Sequence, residues 1–257
     1  MASYLDSLFS LAGRAALVTG GSSGIGTAIA TALARAGASV VVLARDQAAL
    51  ERTAAELRSA GCAAAWVSAD LADRADLARG ADQVVAHFGE PDILVNCAAV
   101  NIRPPLAELT VQQWDQTMAV NLAAPFLLGQ RFGPPMAGRG WGRIINVVSQ
   151  QAVRAFGNSG GYGAAKAGLA GLTRSQSEAW APRGVRCNAV APGFVPTPMT
   201  SATASDPAAS RALADRTMIG RNGAADDFAG PVVFLASDAS EYVTGQVLFV
   251  DGGFSAR

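Results

Sequence analysis

Three side chains with complementary acid–base properties lie within eighteen residues of one another: Ser149, Tyr162 and Lys166, in the stretch S-Q-Q-A-V-R-A-F-G-N-S-G-G-Y-G-A-A-K. Tyr162 and Lys166 are four apart, so on a helix they share one face. A phenol beside an ammonium can act as an acid and a base near neutral pH. Moving a tyrosine pKa from about 10 to about 7 takes roughly 4 kcal/mol. A fixed ammonium about 4 Å away supplies roughly that amount at an effective dielectric of about 20. On this arithmetic one lysine is enough. Ser149 follows the apolar run Ile144, Ile145, Val147, Val148 and could add a hydroxyl that holds a substrate oxygen. A Tyr–Lys pair at this spacing is common on helices, so the reading depends on what surrounds it.

Alternating strand and helix patterns surround it. Strands are expected at 15–19, 39–43, 63–67, 92–96, 143–148, 186–190 and 246–250. Between them lie a helical pattern ending at Gly37, one marked by Leu50, Ala54 and Leu57, and others at 74–88, 111–132, 162–180 and 224–235. The strands are apolar runs rich in β-branched residues, as in sheets buried on both faces. This alternation predicts an α/β fold of Rossmann type, a doubly wound parallel seven-stranded sheet with helices on both faces. No domain boundary appears, so residues 1–257 read as a single domain. Phe132-Gly-Pro-Pro reads as short punctuation. The stretch 197–221, rich in Ala, Ser, Thr and Asp, reads as a loop or helical pair forming a substrate lid over about 195–221.

Composition narrows the function. The 257 residues are 50% hydrophobic and 16% charged, with a formal net charge of zero and no block of like charge, which argues against a nucleic-acid partner. The N-terminus lacks a basic stretch ahead of its apolar residues, and no apolar run is long enough for a membrane span. Cys62, Cys97 and Cys187 match neither a disulfide framework nor a zinc spacing, pointing to a reduced, cytoplasmic protein that needs no metal. His87 is the only histidine and reads as structural, which disfavours a serine–histidine triad.

After the first strand comes Thr19-Gly20-Gly21-Ser22-Ser23-Gly24-Ile25-Gly26, with glycines spaced G-x-x-x-G-x-G. Such a turn lets backbone approach a pyrophosphate at the start of the next helix. This segment, together with Asn96-Cys97-Ala98-Ala99, Asn121, Ser149, Tyr162-Gly-Ala-Ala-Lys166 and Pro192-Gly-Phe-Val-Pro-Thr197, resembles the short-chain dehydrogenase/reductase family in its single-domain form. The resemblance spans nearly the whole chain.

It implies a nicotinamide-dependent oxidoreductase that interconverts an alcohol and a carbonyl. Tyr162 would be the acid and base, Lys166 would lower its pKa and bind the nicotinamide ribose, Ser149 would orient the carbonyl, and Asn121 would hold a water in the proton relay. The cofactor would rest on Gly20, Ser22, Ser23, Gly24, Ile25 and Gly26. Asp70 would meet the adenine with Leu71 beside it, and Asn96 and Ala98 would lie at the centre of the sheet. Pro192, Gly193, Val195 and Thr197 would line the nicotinamide.

Two departures stand out. Cys97 and Ala99 replace an asparagine and a glycine of the family's usual Asn-Asn-Ala-Gly, and Gln150-Gln151 follows Ser149 where small or apolar residues are commoner.

Cofactor choice is expected at the end of the second strand. Members that prefer NAD carry an acid where this chain has Ala44, and Arg45 follows, able to pair with a 2'-phosphate. NADP is therefore favoured over NAD. For substrate, Asn101, Arg103, Gln151, Arg154, Phe156 and Phe194 fall near strand ends on the cofactor side. They suggest a mixed polar and aromatic pocket, and Leu248-Phe-Val-Asp-Gly-Gly-Phe-Ser with Asn101-Ile-Arg103 resembles members acting on sugar acids such as gluconate. A polyol or sugar acid is weighed against a 3-oxoacyl thioester or another ketone as substrate. A cofactor-sensing binding protein on the same fold is the rival from another class, disfavoured by the retained Ser149, Tyr162, Lys166 and Asn121. The resemblance also implies a homodimer or homotetramer, pairing through the helices at 111–132 and from Tyr162 and through the last strand.

Overall fold

The computed structural model describes residues 4–257. A short helix α1 (Tyr4–Phe9) precedes β1 (Ala15–Thr19), α2 (Gly24–Arg35), β2 (Ser39–Ala44), α3 (Gln47–Ser59), β3 (Ala64–Ser68), α4 (Arg74–Phe88) and β4 (Ile93–Asn96). Then come α5 (Val111–Met118), a π-helical turn (Ala119–Ala123), α6 (Ala124–Arg139), β5 (Gly142–Val147), α7 (Gly160–Trp180) and β6 (Val185–Pro192). The chain finishes through α8 (Ser201–Ala204), α9 (Pro207–Ala214), α10 (Ala229–Ala236) and β7 (Val247–Val250). Among the described residues no helix is long and apolar enough to cross a membrane.

All seven strands run parallel in the order β3-β2-β1-β4-β5-β6-β7, the doubly wound sheet that the alternating pattern predicts. Successive side chains on a strand turn to opposite faces, which divides the core in two. Ala16, Val18, Val40 and Val42 pack with Ile29 and Leu33 of α2, Leu50 of α3 and Val232 of α10. Leu17, Val41, Leu43 and Leu94 pack on the other face with Leu77 and Val84 of α4 and Leu128 and Phe132 of α6. Leu169 and Ala170 of α7 cover Val148, Ala189 and Ala191. Full burial of a Val, Leu, Ile or Phe contributes about 1.5–3 kcal/mol. Strand order reverses beside β1, where Thr19 lies opposite Asn96 of β4. That reversal opens a crevice at the carboxyl ends of the strands, where ligands of such sheets bind.

Two elements differ from the sequence reading and a third settles an alternative that it left open. The helix expected to end at Phe132 continues through Pro134 and Pro135 to Arg139, with a π-helical turn midway. A proline in a helix interior costs about 3 kcal/mol. Here Pro134 is exposed and Pro135 half-buried, while Met136 and Ala137 beside them are buried and hold the last turn against the sheet. The helix expected over 224–235 is divided into a 3₁₀ turn (Ala225–Phe228) and α10. The 197–221 stretch is a helical pair, α8 and α9, the second capped by Asp206, which accepts from the amides of Ala208 and Ala209.

The joint between β1 and α2 depends on Gly26. A Cβ there would lie 2.1 Å from the Gly20 carbonyl oxygen, so any side chain forces the turn away from the helix. Gly26→Ala is expected to destabilise the fold by about 1–3 kcal/mol, read as a lower urea midpoint with an unchanged slope.

Candidate active site

Thr19, the last residue of β1, is 1% exposed and organises the loop opposite it. Its hydroxyl donates to the Val95 carbonyl (3.3 Å) and accepts from the amides of Cys97 (3.0 Å) and Ala98 (3.1 Å). The glycine turn and the 97–100 loop thereby become two walls of one cavity of about 640 Å³. Further out, Asn121 grips that loop. Its Oδ1 accepts from the Val100 amide (2.9 Å) and its Nδ2 donates to the Val100 carbonyl (2.8 Å). Asn121 lies fully buried in the π-helical turn, and such turns recur at functional sites because the widened winding redirects side chains and backbone.

The acid–base group lies at the other end of the cavity. Ser149 follows β5, and Tyr162 and Lys166 come from the first turns of α7. The Lys166 ammonium donates to the Val147 carbonyl (2.7 Å) and stands 5.7 Å from the centre of the Tyr162 ring. Lys166 is 2% exposed and its pKa is pushed down to about 8, chiefly by burial, with Cys97 opposing. Tyr162 is pushed up to about 12, again chiefly by burial; a hydrogen bond with Ser149 lowers it, Cys97 raises it and Arg103 lowers it. This corrects the simple charge arithmetic. The buried phenolate loses more from desolvation than the protein's own groups return, and the ammonium is turned to a backbone carbonyl. Lys166 alone does not bring Tyr162 near neutrality.

The structure places the residues anticipated for the cofactor as follows. Gly20, Ser22, Ser23, Gly24, Ile25, Gly26, Arg45, Asp70, Leu71, Ala98, Pro192, Gly193, Val195 and Thr197 all line the cavity, as do Ser149, Tyr162 and Lys166. Asn96 sits behind the wall, donating to Asn146 Oδ1 (2.8 Å), whose own amide bonds Thr173 and Gln176. Asp70 is not a helix cap, since Asp73 fills that role at α4; the Asp70 carboxylate accepts from the Ala72 amide. Arg45 is exposed at the cavity rim, and no ion pair among the described residues includes it. Its neighbour Asp46 is spent capping α3 through the Ala49 amide.

The six residues anticipated for substrate lie outside this lining. Arg103 donates to the carbonyls of Gly157 and Asn158, and Arg154 to those of Ser255 and Arg257. Gln151 accepts from the Ser159 hydroxyl, Phe156 stacks on Phe254, and the Phe194 carbonyl accepts from the Gly223 amide. Asn101 Oδ1 is buried without a partner. His87 lies exposed in the last turn of α4, outside the cavity.

Two residues carry more than the sequence suggested. Thr19 reads as a strand end, and only the β1–β4 pairing reveals that its hydroxyl holds the 97–98 backbone. Cys97 lines the cavity, and its thiol is pushed up to about 11 by burial while Lys166 lowers it. Ala99 lines the cavity without backbone strain, for the only non-glycine residue with positive φ among those described is Asn158.

Known proteins place this arrangement in context. A family model described as "Enoyl-(Acyl carrier protein) reductase" matches residues 20–255. Gluconate 5-dehydrogenase of Gluconobacter oxydans (strain 621H) is 38% identical over 248 residues, 96% of this chain and 97% of that protein. The chain belongs to the short-chain dehydrogenase/reductase family. D-threitol dehydrogenase of Mycolicibacterium smegmatis is 39% identical over 253 residues, 98% of this chain and 97% of that protein. A crystal structure of a gluconate 5-dehydrogenase from Burkholderia cenocepacia J2315 in complex with NADP and tartrate superposes with a TM-score of 0.94 at 38% identity, covering 99% of this chain and 100% of that one. The chain is thus a nicotinamide-dependent oxidoreductase by family. Its cavity fits such a cofactor. A Cβ on Gly20 would lie 2.8 Å from the Ala98 Cα and one on Gly24 3.0 Å from the Thr197 methyl, so bare backbone forms the cradle where a pyrophosphate has to lie close.

The buried lysine has a measurable signature. Between about 8 and the ordinary 10.5 the unfolded chain holds this proton and the folded chain does not, so the lysine's contribution to stability rises with pH over that window and is lowest below it. Lys166→Met removes the burial cost. In thermal melts its Tm relative to the unchanged chain is expected to be higher at about pH 7 than at about pH 9.

Proposed function

We propose that this chain is an NADP-preferring dehydrogenase/reductase that interconverts a secondary alcohol and a ketone on a polyol or sugar acid, with Tyr162 as the acid and base. The observation that carries the reading is the meeting, in one cavity, of the glycine turn with Ser149, Tyr162 and Lys166. A bound nicotinamide would supply or accept the hydride. The chain's own residues would do the rest. The Tyr162 hydroxyl would give its proton to a carbonyl oxygen during reduction and take it back during oxidation, and the Ser149 hydroxyl would hold that oxygen in line. Burial keeps Tyr162 protonated in the protein alone, which suits the reducing direction. In the oxidising direction the positive charge of the oxidised cofactor, together with Lys166, would favour the phenolate. Lys166, held by the Val147 carbonyl, would keep two donors for the nicotinamide ribose. Asn121 spends its side chain on Val100, so a role in the proton relay would fall to a water held beside the π-helical turn.

NADP preference is supported by Arg45 at the rim beside Ala44, where an acid would repel a 2'-phosphate, and by the NADP in the Burkholderia structure. The substrate class is supported by gluconate 5-dehydrogenase and D-threitol dehydrogenase among the relatives. Reduction of the ketone of a 3-oxoacyl thioester is the second reading, in keeping with the acyl-carrier substrate named in the family model's description. The exposed Val111, Trp114 and Phe126 on the 111–139 helices and the half-open β7 support self-association into a homodimer or homotetramer. Three free cysteines support a reducing, cytoplasmic setting.

A panel of polyols, sugar acids, ketones and acyl thioesters, followed by nicotinamide absorbance with both cofactors, tests the reading. Tyr162→Phe is expected to lose at least about 100-fold in kcat while binding NADP within about threefold of the unchanged enzyme. Turnover by the variant at the original rate would remove Tyr162 from its role. Arg45→Ala is expected to lose about 10-fold or more in kcat/KM with NADP and to leave NAD turnover nearly unchanged.

A further inference from the structure

We propose that the C-terminal segment 251–257 is a clasp that positions the substrate wall by binding the end of the α9 region to the loop after Ser149, with Phe254 as its pin. The inference rests on the reading of the cavity as an alcohol and ketone site, and its physical basis is a set of contacts none of which touches the cofactor cradle. Phe254 is 4% exposed and stacks on Phe156 with ring centres 5.7 Å apart and planes 20° from parallel. The Arg216 guanidinium, two residues after α9, lies 4.2 Å from the Phe254 centroid and 5.8 Å from that of Phe156, covering both rings. Backbone reinforces the ring stack. The Gly252 carbonyl accepts from the amides of Met218 (2.8 Å) and Ile219 (3.3 Å). Arg257 reaches the Asp215 carbonyl (3.2 Å), and Arg154 donates to the carbonyls of Ser255 and Arg257.

The clasp is built to hold one shape. The Asp251 carboxylate, 8% exposed, accepts from the amides of Gly253 (3.0 Å) and Ser255 (2.8 Å) and folds the segment back on itself. Gly252 and Gly253 have φ of 63° and 80°, and a Cβ on either would lie within 2.9 Å of Ile219 or Met218 side-chain atoms. One segment therefore fixes two others, the 150–159 loop that joins Ser149 to the helix of Tyr162 and the 207–219 stretch that follows the cavity-lining residues Pro198, Met199 and Thr200 in the chain. Arg154, anticipated from sequence as a substrate ligand, is in this arrangement a positioning residue.

Hydrogen exchange and steady-state kinetics on the full-length protein test the clasp. Phe254→Ala is expected to speed amide exchange at least about tenfold in both 150–159 and 207–219, with the NADP Kd within about twofold of the unchanged chain. KM for a substrate that the enzyme turns over is expected to rise at least about fivefold with kcat changed less than about twofold, and Phe254→Leu, which keeps the volume, to recover most of the loss. Arg154→Gln, a milder change, is expected to speed exchange in the same two segments. Unaltered exchange in both segments in Phe254→Ala and Arg154→Gln would overturn the clasp, as would a loss of NADP affinity equal to the rise in KM. The exchange measurement needs no substrate, so failure of the whole panel would reject the proposed function and leave the clasp to be judged by exchange alone.

Discussion

The Lys166 ammonium is buried and held by one backbone carbonyl, that of Val147, at the end of β5. A charge taken out of water costs several kcal/mol unless it is paired or hydrogen-bonded, and here it faces neither a carboxylate nor solvent. That cost is what pushes its pKa down to about 8. The contact also ties the first turns of α7 to the strand that leads into Ser149, so the lysine and the serine share one anchor. Tyr162, one turn earlier on α7, inherits its place from the same tie, and its own burial pushes the phenol up to about 12. The three groups are therefore held in place by burial and by one backbone contact.

A second constraint lies beneath them. Asn96, Asn146, Thr173 and Gln176 form a buried chain of hydrogen bonds that runs from β4 through β5 into α7. A polar group buried without a partner costs roughly 1–3 kcal/mol, and although Asn96 Oδ1 and Gln176 Nε2 lack one, the bonds that are made tie α7 to the centre of the sheet. Thr19 does similar work on the other side, where one hydroxyl serves a carbonyl of β4 and the amides of Cys97 and Ala98. Between these braces the cavity walls combine glycine backbone and apolar side chains with polar groups such as Ser22, Asp70 and Lys166.

The outer wall is of another kind. It comprises the 150–159 loop, α8, α9 and the last seven residues; arginine contacts to backbone carbonyls and ring stacking join the loop, the turn after α9 and the C-terminal segment. Few buried apolar side chains anchor this wall, since α8 buries none and α9 only Ala214. With so little buried apolar surface, α9 and the 150–159 loop depend on the C-terminal contacts for their position.

Much of this was legible in the order of residues. Alternation of apolar runs with helical periodicity dictates the parallel sheet, because a strand buried on both faces needs helices to cover it. The glycine spacing after β1 and the four-residue step from Tyr162 to Lys166 are local features, and local features survive reading in one dimension. The sequence could not decide what long-range packing decides. Pro134 and Pro135 argue for a helix end, yet burial of Met136 and Ala137 carries α6 on to Arg139. The charge pair argues for a lowered tyrosine, yet desolvation raises it. Which carbonyls Arg103 and Arg154 meet is likewise set by segments distant in the chain. Residue types and spacings determined which chemistry this chain can perform; the environment of each charge, set by segments far away in the chain, was decided only by the tertiary structure, because solvation and Coulomb energies depend on distances in space.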